Sequence, residues 1–247
     1  MDYEHLLART YDAHYALIRD PIGDREHYAA IAAERGGPIL EIGCGTGRVL
    51  LPIARSGLEC VGVDPSSAML AELRAKDPPP SLALHQGHLQ TLDLPRRGFS
   101  LAIAAFRVLQ HLVTVDDQLE ALTRLRDHLR DDGWLALDVF EPNLERMARD
   151  DPDTPEEPFE FEGRSIIRNF AVRRDRTTQT MAIAFRYVDA ATGAEIGREH
   201  LALRWIYRYE LEHLLWRAGF EPLRWSSGYD GRPYDGKGDI VVVARRR

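Results

Sequence analysis

Three glycines at alternate positions, Gly43, Gly45 and Gly47, follow a short apolar run, and the acidic Glu41 lies two residues before the first of them. Glycine adopts positive φ angles readily and lets a ligand approach the main chain closely, although it lowers stability through chain entropy. A tight turn alone would need fewer glycines. A strand, a glycine turn and a helix N-terminus in this order predict a ligand held by backbone groups beyond the carboxyl end of a strand.

The residues around these glycines narrow the class of ligand. A phosphate loop needs GxxxxGK followed by Ser or Thr, which the chain lacks, and a dinucleotide site favours GxGxxG where this chain has GxGxG. The next predicted strand ends in Asp64, about twenty residues after the first glycine, as expected for an acid that binds ribose hydroxyl groups. Because nicotinamide and S-adenosylmethionine sites both use such an acid, a nicotinamide-dependent oxidoreductase stays open as an alternative.

Composition and charge argue against several other functions. The 247-residue chain has a net charge of −7, and phosphate contacts favour a basic surface, so we expect no nucleic-acid partner. Its two cysteines and nine histidines form neither a disulfide framework nor a zinc motif, which predicts that no metal is bound. The chain has no apolar run of membrane-spanning length and no signal-peptide pattern at its N-terminus. We therefore expect a cytoplasmic protein with no membrane partner.

The elements that must position these residues alternate between short apolar strands and helices up to residue 140. The predicted strands are 39–42, 60–63, 82–85, 99–106 and 135–140. The predicted helices are 2–20, 24–35, 47–56, 66–76 and 117–129, with Asp24, Ser66 and an Asp117-x-x-Glu120 pair as starts of the second, fourth and fifth. Such alternation predicts an α/β fold whose parallel sheet carries helices on both faces.

The pattern changes after residue 140. Residues 141–158 are acidic and contain several prolines, which predicts a loop. Residues 159–206 then alternate as antiparallel strands, with a hairpin turn at ATGAE, residues 191–195. A helix at 209–218 and two strands near 223–228 and 240–245 complete the prediction.

The motif ExGxGxG, formed by Glu41 and the three glycines, and the run GVDPSSAML at 62–70 together resemble class I S-adenosylmethionine-dependent methyltransferases. The resemblance implies a Rossmann-like, seven-stranded, mostly parallel sheet from residues 1–140 and 207–247. Residues 141–206 would form an inserted antiparallel lid. It also implies S-adenosyl-L-methionine as the cofactor and S-adenosyl-L-homocysteine as its product.

By this resemblance Asp64 would hold the ribose hydroxyls, Met69 would lie near the adenine, and the glycine loop would face the methionine moiety. Many relatives have an adenine-binding acid after the third strand, where this chain has His88. That departure keeps open a non-catalytic protein that retains the pocket. The expected cofactor-binding residues are Tyr11, Tyr15, Glu41, Gly43, Gly45, Gly47, Asp64, Pro65, Met69, His88, Leu89 and Phe106.

The acceptor side is expected near the ends of the fourth and fifth strands. His111 follows the fourth strand and is a candidate general base, since an alcohol acceptor should lose its proton. The alternative is a histidine that packs in a short helix and bonds a backbone carbonyl. The segment YDAHY at 11–15 resembles one that caps the cofactor in related small-molecule enzymes, which makes Tyr11 a second catalytic candidate. Acceptor contacts are expected from Arg107, His111, Asn143 and Tyr207.

The inserted sheet resembles the lid of glycine and amino-sugar N-methyltransferases. This implies an acceptor pocket that excludes water, and a homodimer through the inserted sheet. Nucleic-acid methyltransferases have a DPPY or NPPY motif after the fourth strand, or a cysteine after the fourth or fifth strand. This chain has neither feature. Together these features predict a transferase that methylates nitrogen or oxygen of a small-molecule acceptor.

Overall fold

Two β-sheets organise the residues that the computed structural model describes, which are 3–18 and 22–247. The helices are α1 (Tyr3–Ile18), α2 (Asp24–Arg35), α3 (Leu50–Arg55), α4 (Ser67–Ala75), α5 (Val115–His128), α6 (Leu144–Met147) and α7 (Arg208–Arg217). The strands are β1 (Ile39–Ile42), β2 (Cys60–Asp64), β3 (Leu82–Gln86), β4 (Phe99–Ala104), β5 (Leu129–Phe140), β6 (Asp151–Pro155), β7 (Phe159–Phe161), β8 (Arg164–Asp175), β9 (Thr180–Asp189), β10 (Glu195–Arg204), β11 (Phe220–Ser227) and β12 (Asp239–Arg246).

The first sheet has seven strands in the order β11-β12-β5-β4-β1-β2-β3. Strands β1 to β5 run parallel, and β12 pairs antiparallel with β5 and β11. The chain passes from β1 to β2 on one side and later returns to β4 on the other side. This reversal opens a crevice outside the carboxyl ends of β1 and β4, where open α/β sheets bind ligands. The predicted fold class is confirmed.

The core holds β1 in place from both faces of the sheet. Strands β1, β2 and β4 are buried along their whole length. Leu40 and Ile42 join one apolar layer with Phe99, while Ile39 joins the opposite layer with Leu50, because successive side chains of a strand point to opposite faces. Each fully buried side chain of this kind contributes roughly 1.5–3 kcal/mol. The layers therefore fix the end of β1, from which the glycine loop begins.

The second sheet is antiparallel, has the strand order β10-β9-β8-β6, and lies in the chain between β5 and α7. Strand β7 pairs with β8 beside this path. The predicted hairpin joins β9 to β10, with Asp189 N donating to Ala194 O at 2.9 Å. The domain boundaries at 140/141 and 206/207 stay a prediction.

The prediction of a loop over 141–158 is wrong in two places. Helix α6 and strand β6 both lie in this segment. Strand β6 pairs with β8, with Thr154 opposite Phe170. Its two prolines are compatible with pairing because β6 is an edge strand, where one row of backbone groups needs no partner strand.

Side-chain caps account for two helix starts. Ser66 caps α4 as predicted, and its Oγ accepts a hydrogen bond from Met69 N at 3.2 Å. Helix α5 begins earlier than the sequence indicated, because its cap is Thr114 and not Asp117. The Oγ1 of Thr114 accepts from Asp117 N at 3.1 Å, so Asp117 is the third residue of the helix.

Two other helix starts differ from the prediction. Helix α2 begins at Asp24, but that side chain does not cap it and instead binds Arg48 through two hydrogen bonds of 2.8 and 2.6 Å. Helix α3 begins at Leu50 and not at residue 47, because Gly47 has a φ angle of 82°, outside the helical region. Of the helix predicted over 2–20, residues 2, 19 and 20 lie outside the described residues.

Two expectations concern absences. Within residues 3–18 and 22–247, no helix is both long and apolar enough to cross a membrane. The same residues contain no group of three or more His, Cys, Asp or Glu side chains placed to hold a metal ion.

Candidate active site

The glycine loop after β1 has three positive φ angles, 67° at Gly43, 53° at Gly45 and 82° at Gly47. A Cβ atom at Gly43 would lie 2.5 Å from Val108, and one at Gly47 would lie 2.3 Å from Leu73. At Gly45, by contrast, a Cβ atom would have no described heavy atom within 4 Å. Packing within the protein thus requires two of the glycines, whereas Gly45 leaves the main chain open to a ligand.

Asp64 ends β2 beside this loop, and two backbone N–H groups fix its carboxylate. Gly45 N donates to Oδ2 at 2.8 Å, and Ser66 N donates to Oδ1 at 2.8 Å. Burial raises the pKa of the Asp64 carboxyl, while these hydrogen bonds act in the opposite direction. The sequence predicts an acid for ribose hydroxyls at this position.

One cavity of about 1550 Å³ runs from the carboxyl edge of the first sheet to the inner face of the second sheet. We name the part beside the glycine loop and β2 the loop half, and the part against β8, β9 and β10 the lid half. The predicted cofactor-binding residues that line the cavity are Tyr11, Tyr15, Gly43, Gly45, Asp64, Pro65, Met69, His88, Leu89 and Phe106. The fold therefore brings together residues from α1, the glycine loop, α4 and the ends of β2, β3 and β4.

Glu41 and Gly47 are not among the residues that line the cavity. Glu41 is buried, burial raises its pKa well above the usual range, and its Oε2 has no hydrogen-bond partner in the described part of the chain. The positive charge of Arg48 partly offsets this effect of burial. Glu41 is enclosed by the protein and Gly47 packs against Leu73, which explains why neither residue lines the cavity.

Helix α1 covers the loop half and carries the two predicted tyrosines. Tyr11 and Tyr15 stack with their ring centroids 4.1 Å apart, and the Tyr15 ring meets Phe106 edge-on at 5.2 Å. Asp12 ties this helix to the glycine loop, because it accepts a hydrogen bond from Thr46 Oγ1 at 2.6 Å. It also pairs with Lys76 at 2.5 Å.

The segment after β4 is held in a strained conformation at the junction of the two halves. Phe106 and Arg107 have φ angles of 59° and 67°, in the left-handed region that side chains other than glycine rarely adopt. Asp138 of β5 stabilises them by accepting hydrogen bonds from Phe106 N at 2.7 Å and Arg107 N at 3.1 Å. Its Oδ1 also accepts from the Tyr28 hydroxyl at 2.6 Å. Asp138 is not among the predicted site residues, although a single acid in the apolar run LALDVF is a signal for it.

Two predicted acceptor residues, Arg107 and His111, line the cavity together. The Arg107 guanidinium pairs with Asp239 at 3.3 Å. His111 keeps exposed surface because its ring faces the cavity, and no hydrogen bond to the ring occurs among the described residues. Burial by the surrounding protein, with the charge of Arg107, lowers the pKa of His111 below its usual 6.5. This shift favours the neutral ring, which is the form that accepts a proton.

The other two predicted acceptor residues have different positions. Asn143 lines the cavity, but its Oδ1 accepts a hydrogen bond from Arg146 N at 2.9 Å and so caps α6. Tyr207 precedes α7 and is not among the residues that line the cavity.

The lid half has an apolar wall made by one face of the second sheet. Every second residue over 168–174 of β8, 181–185 of β9 and 199–203 of β10 lines the cavity, in agreement with the period of a strand. We name this wall the lid block. Its members are Phe170, Val172, Met181, Ile183, Phe185, Leu201 and Leu203.

Charged side chains at one end of the lid block were also missed from the sequence. Arg168 binds Glu156 through both carboxylate oxygens, and its Nη1 donates to the Tyr15 hydroxyl at 3.3 Å. Burial of Glu156 acts against its ionisation, but the hydrogen bonds from His14 and Arg168 prevail and lower its pKa to about 2. The signal was a charged residue on the apolar side of an alternating strand.

The loop half fits an adenosyl group in the chemistry of its walls. Asp64 supplies a carboxylate for hydroxyl groups, and Met69 and the buried Leu89 supply apolar surface for a flat base. His88 is exposed and precedes the short 3-10 turn Leu89–Thr91, so an imidazole ring lies at this part of the cavity wall. Gly45 provides open main chain beside them.

Comparison with known proteins supports the same ligand class. Residues 39–133 match the family model described as a methyltransferase domain. The CcbJ methyltransferase from Streptomyces caelestis is 26% identical, with a TM-score of 0.81 over 97% of this chain and 96% of that chain. The structure of CalS10, an amino pentose methyltransferase from Micromonospora echinaspora with bound S-adenosylmethionine, is 26% identical, with a TM-score of 0.74 over 96% and 97%.

A similar protein of known sequence is the dTDP-3-amino-3,4,6-trideoxy-alpha-D-glucopyranose N,N-dimethyltransferase of Streptomyces venezuelae. It is 24% identical over 241 residues, 93% of this chain and 96% of that protein. The chain spans about half the length of other curated relatives that it matches. Residues 39–133 thus match a methyltransferase domain, and the whole chain is similar in fold to S-adenosylmethionine-dependent amino-sugar N-methyltransferases.

Proposed function

We propose that this chain transfers a methyl group to the amino nitrogen of a small molecule, with amino sugars as the first acceptor class to test. The observation that carries the proposal is that both halves belong to one cavity. An acceptor on the lid block would therefore face a cofactor in the loop half without crossing the protein wall.

Relatives support nitrogen as the accepting atom. The Streptomyces venezuelae relative is named for dimethylation of an amino sugar, and CalS10 is described as an amino pentose methyltransferase. Methyl transfer to nitrogen or oxygen of a small molecule is supported by the relatives as a group. Our proposal is narrower than this, because it names an amino nitrogen as the accepting atom.

The chain has three tasks in this reaction. When bound, S-adenosylmethionine supplies an electrophilic methyl group. Asp64 holds the ribose hydroxyls, and Tyr15 and Phe106 exclude water where the two halves meet. Arg107 and His111 stand on the acceptor side of that point. Alignment of the two reactants in one geometry contributes most of the acceleration expected for such a transfer.

A calorimetric titration with S-adenosylhomocysteine tests the cofactor half of the proposal. We expect Asp64→Ala to weaken binding by about 10- to 150-fold, since hydrogen bonds to a charged group contribute roughly 1.5–3 kcal/mol. Asp93→Ala is the matched control, because Asp93 is exposed and does not line the cavity. Absence of binding by the unmodified protein would overturn the proposal.

Mass spectrometry tests the acceptor half. The purified protein is incubated with S-adenosylmethionine and the dTDP-linked 3-amino sugar of the Streptomyces venezuelae relative. We expect a product that carries added methyl groups on nitrogen. Methylation of hydroxyl acceptors alone would show that oxygen, and not nitrogen, is the accepting atom. A homodimer through the second sheet stays a prediction that light scattering can check.

A further inference from the structure

Glu199 interrupts the lid block. It lines the cavity from β10, directly across from Phe185 and two residues before Leu201 on the same face. Phe170 follows in the same row, because it pairs with Phe185. A carboxylate in such an apolar row is unfavourable unless a partner compensates it.

The described residues compensate only one side of this carboxylate. Tyr187 lies near the Glu199 carboxylate and acts to lower its pKa. The Oε2 atom, however, is buried and has no hydrogen-bond partner within residues 3–18 and 22–247. This oxygen can accept a hydrogen bond that no described residue donates. Because Glu199 lines the cavity, a ligand in the cavity could supply the donor.

The surrounding charges favour a cation as that donor. Arg168 is the cation whose field acts on Glu199, but its guanidinium is already bound by both oxygens of Glu156. Two carboxylates thus share one guanidinium. Other titratable groups near this end are His14 and Tyr15 of α1, Tyr187 of β9 and His111 of the turn packed on β10.

We propose that Glu199 is the residue that recognises the acceptor amine, with its Oε2 accepting a hydrogen bond from the acceptor's ammonium group. The apolar body of the acceptor packs on the lid block beside it. This inference rests on the proposed function, because it names the group that selects an amine for that reaction. The class of ligand is an organic ammonium cation with an apolar body of ring size.

Glu199 also has the chemistry to take a proton from that cation. An N–H bond of the ammonium breaks, its electron pair stays on nitrogen, and the proton passes to Oε2. Burial raises the pKa of Glu199 to about 7, despite the opposing effects of Arg168 and Tyr187. A carboxyl group with this pKa can accept a proton and release it to water near neutral pH.

The test uses two probes of equal shape, 4-phenylbutylamine as the cation and 4-phenylbutanol as its neutral counterpart. Each is titrated calorimetrically into the protein, with and without saturating S-adenosylhomocysteine. We expect the amine to bind at least tenfold more tightly than the alcohol at pH 8. In Glu199→Gln the two probes should bind equally, while Glu160→Gln, an exposed position on β7, should keep the tenfold preference.

A pH series separates recognition from a structural role. About a tenth of Glu199 is ionised at pH 6 and about nine tenths at pH 8 when the pKa is about 7, so amine affinity should rise about tenfold. Glu199→Gln should remove this rise.

An amine that binds the unmodified protein no better than the alcohol overturns the inference, as does a preference that survives in Glu199→Gln. Failure of S-adenosylhomocysteine to bind overturns the proposed function instead, and the titrations without it still decide the role of Glu199.

Discussion

The loop half of the cavity combines main-chain groups of the glycine loop with side chains that follow successive parallel strands, whereas the lid half is built from side chains of three paired antiparallel strands. In the loop half, Gly45 and the carboxylate of Asp64 belong to adjacent elements. In the lid half, Arg168, Phe185 and Glu199 meet only because the register of β8, β9 and β10 places them on one face. A site that relies on main-chain groups keeps its ligand when side chains are substituted. A site built from side chains can change its ligand through a single substitution.

The largest effect is expected from loss of Asp138, which lies at the junction of the two halves. Asp138 accepts hydrogen bonds from two backbone N–H groups and from Tyr28, and its side chain is fully buried. We expect Asp138→Ala to lower the free energy of unfolding by about 3–6 kcal/mol, since each buried group left without a partner costs roughly 1–3 kcal/mol. Chemical denaturation measures this. Asp131→Ala, at a fully exposed side chain, should change stability by less than about 0.5 kcal/mol.

The loop half should respond differently at two of its glycines. In Gly47→Ala, the new Cβ meets Leu73 at 2.3 Å at a φ angle of 82°, and we expect a loss of about 2–4 kcal/mol of stability. In Gly45→Ala the space is open, so we expect only the backbone term of about 1–2 kcal/mol, with weaker binding of S-adenosylhomocysteine. Thermal unfolding and titration of both variants test this. Equal stability of the two would contradict the packing account.

The lid half should gain stability when its isolated carboxylate is neutralised. The pKa of Glu199 is about 7 in the fold against 4.5 when unperturbed, so the folded state loses stability as pH rises from 4.5 to 7. Glu199→Gln should therefore be more stable than the unmodified protein by about 1–3 kcal/mol at pH 8, a range discounted because the side chain is partly exposed. The gain should vanish at pH 4. Melting curves at both pH values measure it, and a loss of stability at pH 8 would contradict it.

The smallest effect is expected at the junction of the halves. With an amine acceptor, His111→Gln should lower the methylation rate by no more than about tenfold at pH 7.5, because Glu199 takes the proton; a general base contributes about 100- to 10,000-fold. Binding of S-adenosylhomocysteine should be unchanged. Single-turnover kinetics measure the rate. A fall of 100-fold or more would assign the base to His111.

The same contrast explains how far the sequence could predict the site. ExGxGxG and Asp64 are close in sequence, so their proximity in the loop half could be predicted. Asp138 and Glu199 could not be found from spacing, since their roles depend on which strands are neighbours and in what register. The prediction of a loop over 141–158 was wrong for a similar reason, because β6 forms only by pairing with β8.

Helix α1 has a consequence for how the two reactants influence each other's binding. Asp12 ties it to the glycine loop through Thr46, and Tyr15 ties it to the second sheet through Arg168. Any ligand that draws α1 closer to one half also changes how well the helix covers the other. Thermodynamic reciprocity then requires that cofactor and acceptor alter each other's affinity by the same factor. A change in the position of α1 would therefore act on both reactants.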